Sequence, residues 1–177
     1  RSIDYFVIGD GWRTSPLWPP PATMRTLSAR TASGNALSRW GDGRLLAEAD
    51  AESGAPTTLV AQPHVPVPGG PFDFQEESGL HDRRDIACFT TDPMASDLVI
   101  VGSPVVTART TADVPRHDLI VALYGVAADG TARVLTGYAA RLLEPESPGA
   151  VTSWRIELRP MAVRIRAGER LRLTLSG

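Results

Sequence analysis

The chain has 177 residues, of which 42% are hydrophobic and 21% charged, as is typical of one soluble globular domain with its own core. Its 18 basic and 20 acidic residues give a net charge of −2, so no excess of positive charge favours nucleic acid or an anionic membrane as a partner. All the basic residues are arginines, which excludes Schiff-base and phosphate-loop lysine chemistry. No apolar run reaches the ~18 residues of a membrane span.

Short runs of β-branched and alternating residues predict the strands. In chain order they cover residues 5–8, 57–60, 86–90, 98–110, 119–126, 133–143, 153–158 and 170–175. Glycine (16 residues) and proline (15 residues) are spread between these runs and disfavour long helices. Many short strands separated by turn residues are typical of an all-β sandwich.

Three local patterns refine this prediction. Asp129-Gly130 lies between two strand runs and predicts a hairpin turn, since glycine supplies the positive φ that tight turns need. Near the end of the chain, Arg170, Arg172 and Thr174 alternate with leucines, which predicts one solvent-exposed and one buried face. Residues 161–168, between a proline and a glycine, are equally compatible with a short helical turn and with none.

Four aromatic residues lie in segments rich in proline and glycine, which we predict to be long ordered loops. Trp12 and Trp18 belong to residues 9–21, and Phe72 and Phe74 belong to residues 63–82. Aromatic side chains on a stiff backbone either cover the domain's own core or reach a neighbouring domain or a substrate pocket. Stacking of a sugar on the tryptophans is a third interpretation.

A mixed charge cluster, residues 82–85, precedes the predicted strand 86–90. Arg83 and Asp85 in it are either a local ion pair or half of an interdomain contact, because arginine binds carboxylates through two parallel hydrogen bonds.

The usual catalytic motifs are absent. The sequence has no G-x-S-x-G serine motif, and its three histidines lack the spacing of metal ligands. Cys88 lies within the predicted strand 86–90, where a buried, inert thiol is expected. We therefore assign no catalytic residue, metal or cofactor. A lone cysteine cannot form an internal disulfide, which favours a cytoplasmic location.

Six segments, in order along nearly the whole chain, carry a family resemblance: Phe6 to Arg13, Leu17-Trp18-Pro19-Pro20, Pro66 to Gly70, His81 to Thr91, Val101-Gly102 and Ala167 to Leu173. They resemble the domain that follows the catalytic domain in the Xaa-Pro dipeptidyl-peptidase and cocaine esterase family of serine hydrolases. Residues 66–70 resemble the family's P-V-P-x-x-G-G loop, and residues 81–91 its R-x-D-V-L-x-[FY]-[ST] strand.

The resemblance implies a jelly-roll β-sandwich, similar to galactose-binding domains, with few short helices. Residues 1–177 would be one C-terminal domain, truncated at both ends, in which residues 1–22 are a lead-in from an absent α/β-hydrolase domain that holds the Ser, Asp and His. The expected partner is that catalytic domain, whose active-site entrance this domain would help to shape, and a homodimer is a further expectation. A free-standing glycan- or protein-binding module is the alternative function.

Overall fold

The computed structural model describes residues 1–47, 54–62, 64–65, 78–143 and 149–177. Within these ranges the chain forms twelve β-strands and a 3-10 helix, Ser78–Asp82. The strands are β1 (Ile3–Val7), β2 (Gly11–Ser15), β3 (Leu27–Arg30), β4 (Arg44–Ala47), β5 (Ile86–Thr90), β6 (Leu98–Gly102), β7 (Val105–Thr110), β8 (Arg116–Val126), β9 (Ala132–Leu143), β10 (Thr152–Glu157), β11 (Met161–Ile165) and β12 (Arg170–Ser176).

One layer of the fold is a six-stranded sheet in the order β3-β4-β5-β12-β8-β9. Its pairings are antiparallel except for β4 with β5, which are parallel. The remaining strands form the antiparallel pairs β6–β11, β7–β10 and β1–β2. Ile8, directly after β1, forms a parallel bridge with Val163 and so joins the β1–β2 hairpin to β11.

The core lies between the six-stranded sheet and the pairs β6–β11 and β7–β10. Leu171 and Leu173 of β12 belong to the same buried cluster as Ile156 of β10 and Val163 of β11. Alternate residues of each strand point to this interior, as strand geometry requires. The predicted all-β sandwich is confirmed, and the jelly-roll connectivity stays a prediction.

Most predicted strands are confirmed, with the run 98–110 divided into β6 and β7. The hairpin turn is confirmed too: Gly130 has φ +92°, and its N–H donates to the carbonyl of Ala127 at 3.0 Å. This hydrogen bond and the φ value match a tight turn between β8 and β9.

Two local predictions were wrong. Residues 57–60 form no strand, because nothing in the described part of the chain pairs with them. Residues 11–15, predicted as loop, form β2 because Gly9 and Gly11 adopt positive φ and reverse the chain against β1. For residues 161–168 the sequence left a helical turn open; the structure has a strand there instead, since residues 161–165 form β11, paired with β6. Their apolar side chains at every second position are buried, which is the strand periodicity.

The prediction of a solvent-exposed face on β12 was also wrong. Arg170 is exposed, but Arg172 and Thr174 are only 7% and 6% exposed. The 3-10 helix covers this face of the sheet, since its fully buried His81 places Nδ1 2.9 Å from Nη1 of Arg172. The guanidinium of Arg172 is therefore buried inside the domain.

Candidate interdomain surface

The first two strands form a hairpin whose register fixes which side chains share a face. Phe6 pairs with Trp12 and Val7 with Gly11 across the two strands. The N–H of Asp10 donates to the carbonyl of Val7 at 3.0 Å and closes the turn. Since directly paired residues point to the same side of a sheet, Phe6 and Trp12 lie side by side.

Near the turn, one face of the hairpin presents apolar side chains to solvent. We call it the hairpin face and define it by Phe6, Ile8 and Trp12, which are 50%, 54% and 74% exposed. The rings of Phe6 and Trp12 pack edge to face, with centroids 5.5 Å apart. Exposed aromatic side chains grouped in this way are typical of surfaces that bind another protein.

The hairpin is held firmly against β11. Val7 is fully buried, and the N–H of Ile8 donates to the carbonyl of Ala162 at 2.9 Å. Arg164 returns the pattern, since its N–H donates to the carbonyl of Ile8 at 2.9 Å. The hairpin face is therefore carried by strands that are joined to the β6–β11 pair.

Arg164 adds a charged clamp at the hairpin turn. Its Nη1 donates to Asp10 Oδ1 at 3.0 Å, and its Nε donates to Asp97 Oδ2 at 2.9 Å. Asp97 also accepts from the N–H of Ala167, and this bond, followed by the bonds from Arg164, keeps the pKa of the Asp97 carboxyl below its usual value. The clamp joins three segments that are far apart in sequence.

The two candidate tryptophans do not meet. Trp12 lies on the hairpin face, whereas Trp18 packs edge to face on Tyr5, with ring centroids 5.5 Å apart. Tyr5 and Phe6 are successive strand residues and point to opposite sides of the hairpin. Pro19 packs next to Gly102, since a Cβ added to Gly102 would lie 3.3 Å from the ring of Pro19.

The candidate ion pair Arg83–Asp85 forms within this domain. Nε of Arg83 donates to Asp85 Oδ1 at 2.9 Å, and its Nη2 donates to Oδ2. Arg83 also donates to the carbonyl of Val65 at 3.2 Å. The hydrogen bond from Arg83 is the main cause that lowers the pKa of the Asp85 carboxyl. The pair is a local contact, and an additional interdomain role stays a prediction.

The other chemistry-bearing residues are placed as follows. Phe72 and Phe74 lie outside the described residues. Cys88 is buried on β5, and burial raises the pKa of its thiol to about 11, so the thiolate is disfavoured at neutral pH. Across the described ranges, no three His, Cys, Asp or Glu side chains are grouped so that they could hold a metal ion. Nor does any helix there have the length and apolar character to cross a membrane.

A family model described as the X-Pro dipeptidyl-peptidase C-terminal non-catalytic domain matches residues 2–177. The chain belongs to this family. The resemblance read from the sequence is thereby confirmed, and so is the non-catalytic character of the domain. No curated protein matches the sequence significantly.

Solved structures show the same fold for this X-Pro dipeptidyl-peptidase C-terminal domain. An aminopeptidase from a marine sediment Thaumarchaeota archaeon matches with a TM-score of 0.67 and 18% identity, over 98% of this chain and 32% of the other. A CocE/NonD family hydrolase from Staphylococcus aureus matches at 0.61 and 14%, over 98% and 32%. An α-amino acid ester hydrolase matches at 0.55 and 15%, over 98% and 28%. The chain thus spans about a third of the length of these proteins.

Two features of the domain escaped the sequence reasoning. Phe6 and Ile8 belong to the hairpin face, and β-pairing with a glycine-rich segment was the signal that could have found them. The second feature is a contact between Trp40 and Asp82, 42 residues apart, at 2.7 Å. No local pattern announces such a long-range contact.

Proposed function

We propose that this chain is the C-terminal accessory domain of a serine hydrolase of the Xaa-Pro dipeptidyl-peptidase or acyl esterase type. It packs on the α/β-hydrolase catalytic domain of the same protein through the hairpin face, and Phe72 and Phe74 help to shape the active-site entrance. The observation that carries the proposal is the hairpin face itself, three exposed apolar side chains on a hairpin fixed to the sandwich. Two of the solved structures of the same fold are named as hydrolases and one as an aminopeptidase, and each is about three times longer.

Burial of the hairpin face would exclude water from Phe6 and Trp12. Large aromatic side chains that become fully desolvated dominate interface energetics. Since the hairpin is already ordered, docking would not require this segment to fold. The charged clamp at Arg164 lies beside the face and would contribute to a polar rim.

The test uses the full-length protein that contains this chain. Trp12→Ala and Phe6→Ala are expected to lower its melting temperature and to expose the domain junction to limited proteolysis, whereas Tyr138→Ala, a change at an exposed aromatic on β9, is the matched control. Phe72→Ala with Phe74→Ala is expected to lower kcat/KM on aminoacyl-proline and aryl ester substrates. Unchanged kcat/KM would exclude the entrance role, and unchanged melting and proteolysis would exclude docking through the hairpin face.

The alternative, a free-standing glycan- or protein-binding module, is favoured by the high exposure of Trp12. It predicts a ligand affinity of the isolated chain that is lost with Trp12→Ala, while Trp18→Ala tests the other side of the hairpin. Homodimer formation through the hairpin face predicts a dimer in sedimentation that Trp12→Ala converts to monomer.

A cytoplasmic location is supported by the unpaired thiol of Cys88, and fractionation of cells that express the full-length protein tests it.

A further inference from the structure

A second exposed tryptophan belongs to the segment 35–43, which pairs with β5 of the six-stranded sheet through main-chain hydrogen bonds. Trp40 is 76% exposed, which is more than Trp12. The segment is anchored on both sides of this residue: the N–H of Cys88 donates to the carbonyl of Ala36 at 2.8 Å, and the N–H of Thr90 donates to the carbonyl of Gly43 at 3.2 Å. The exposed indole therefore belongs to a segment hydrogen-bonded to β5.

Two backbone features make the turn at Trp40 specific. Ser38 is the non-glycine residue with positive φ, +63°, in the described part of the chain. Gly43 lies so close to β5 that a Cβ there would collide with the carbonyl oxygen of Cys88. Residues held in sparsely populated conformations often mark functional sites, where the surrounding structure maintains them. Here the left-handed conformation of Ser38 belongs to the turn that exposes Trp40 to solvent.

The indole of Trp40 is held in one orientation by side chains as well. Its Nε1 donates to Asp82 Oδ1 at 2.7 Å, and the Cζ atom of Arg39 lies 4.7 Å from the ring centroid. Asp82 also pairs with Arg39 Nε at 2.6 Å. The charges of Arg39 and Asp82 are thus matched with each other, and the ring needs no further partner for its N–H.

A cleft opens beside this ring, which we call the Trp40 cleft. It is lined by Asn35, Leu37, Ser38, Trp40, Gly41 and Arg84. Arg84 is exposed, and in the described part of the chain its guanidinium has no ion-pair partner. The neighbouring cation Arg83 is already paired with Asp85. The cleft therefore combines a fixed aromatic ring with an arginine that forms no ion pair with any residue the structure describes.

We propose that the Trp40 cleft is a second docking surface, for a protein segment that carries an apolar side chain next to a carboxylate. The apolar side chain would pack on the indole, and the carboxylate would accept hydrogen bonds from Arg84. Tryptophan and arginine are the residues most enriched at energetic centres of interfaces, and arginine binds carboxylates through paired bonds. The cleft lies on residues distinct from the hairpin face, so this inference stands without the proposed function.

The experiment titrates the isotope-labelled 177-residue chain with N-acetyl-Leu-Glu-amide and with its neutral counterpart N-acetyl-Leu-Gln-amide, followed by NMR. Saturable shifts are expected at the Trp40 indole N–H and at the backbone N–H groups of Ser38 and Gly41 in the same cleft, which also report on the Trp40 variants, with a Kd of about 1 mM. The neutral peptide should bind about fivefold more weakly. Arg84→Gln should remove this difference, Trp40→Ala should abolish binding, and Trp12→Ala, on the hairpin face, should leave it unchanged.

Each other outcome overturns the proposal. Equal affinity for the two peptides would show that Arg84 does not recognise the carboxylate. Shifts confined to the Trp12 indole, or none up to about 20 mM peptide, would exclude the cleft as a docking surface. In a parallel titration with N-acetylglucosamine, shifts of the same resonances that neither peptide produces would make the cleft a sugar site and overturn the proposal. Trp40→Phe keeps an aromatic ring at this position. If Trp40→Phe still binds the peptide and Trp40→Ala does not, the loss in Trp40→Ala reflects the missing ring and not misfolding.

Discussion

The buried guanidinium of Arg172 gives a prediction that can be worked out in energy. Its Nε donates to Thr90 Oγ1 at 2.9 Å, and its Nη1 lies 2.9 Å from His81 Nδ1. A guanidinium only donates hydrogen bonds, so Nδ1 of His81 accepts and its proton is on the other ring nitrogen. The ring of His81 packs edge to face on Tyr124, with centroids 4.4 Å apart. Arg172→Met keeps most of the stem and removes both bonds.

The expected loss is set by opposing effects. Hydrogen bonds from a charged donor contribute about 1.5–3 kcal/mol each. Against this, desolvating a buried charge costs several kcal/mol, and burial is the main cause that lowers the pKa of Arg172, with repulsion from Arg39 acting in the same direction. These effects nearly cancel when the whole group is removed. What remains is the buried His81 acceptor without its donor, which costs about 1–3 kcal/mol. We expect Arg172→Met to lower the free energy of unfolding by about 2 kcal/mol.

Equilibrium unfolding in urea measures this change, provided that the m-value is constant. Arg170→Met, an exposed position on the same strand, is the control and should change stability by less than about 0.5 kcal/mol. The double variant Arg172→Met/His81→Leu should lose less free energy of unfolding than the two single variants do in sum, by about 1 kcal/mol or more. A variant Arg172→Met that is as stable as the parent would refute the reasoning, because desolvation would then outweigh the bonds to His81.

Three further predictions concern pH and one turn. Because burial raises the pKa of the Cys88 thiol to about 11, folding stability should be intact below the unfolded pKa of about 8.5 and fall as pH rises from there to 11; Cys88→Ala should flatten this alkaline decline in urea titrations. The lowered pKa of Asp85 predicts that its carboxylate stabilises the fold above about pH 4 and that this stabilisation is lost as pH falls below it. Asp85→Asn should therefore reduce the loss of stability in acid, as followed by circular dichroism. An unchanged loss of stability in acid would contradict the stabilising role of the Arg83–Asp85 hydrogen bond. Gly130→Ala, at φ +92° with open space around it, should cost about 1–2 kcal/mol of left-handed strain in thermal melts, and no loss would show that the turn relaxes.

The sequence was informative where periodicity and turn chemistry act alone. β5 was predicted to the residue, and the hairpin of β8 and β9 follows from strand patterns on either side of Gly130. β2 was not predicted, since the glycines and prolines of residues 9–21 favoured a loop, whereas a glycine turn folds residues 11–15 onto β1. The burial of Arg172 also had no local signal. Alternation separates two faces of β12, but only the position of the 3-10 helix, whose His81 contacts Arg172, decides that the second face is covered as well.

The attachment of the β1–β2 hairpin to β11 has a consequence for kinetics. Its two main-chain hydrogen bonds and the contacts of Arg164 with Asp10 and Asp97 fix the segment before any partner arrives. Association through it would then be the meeting of two rigid bodies, with little change of backbone shape. Rate constants of about 10⁵–10⁷ M⁻¹s⁻¹, limited by orientation, follow for such encounters. The heat capacity change would reflect only the apolar area removed from water, without the larger signature of a segment that folds as it binds.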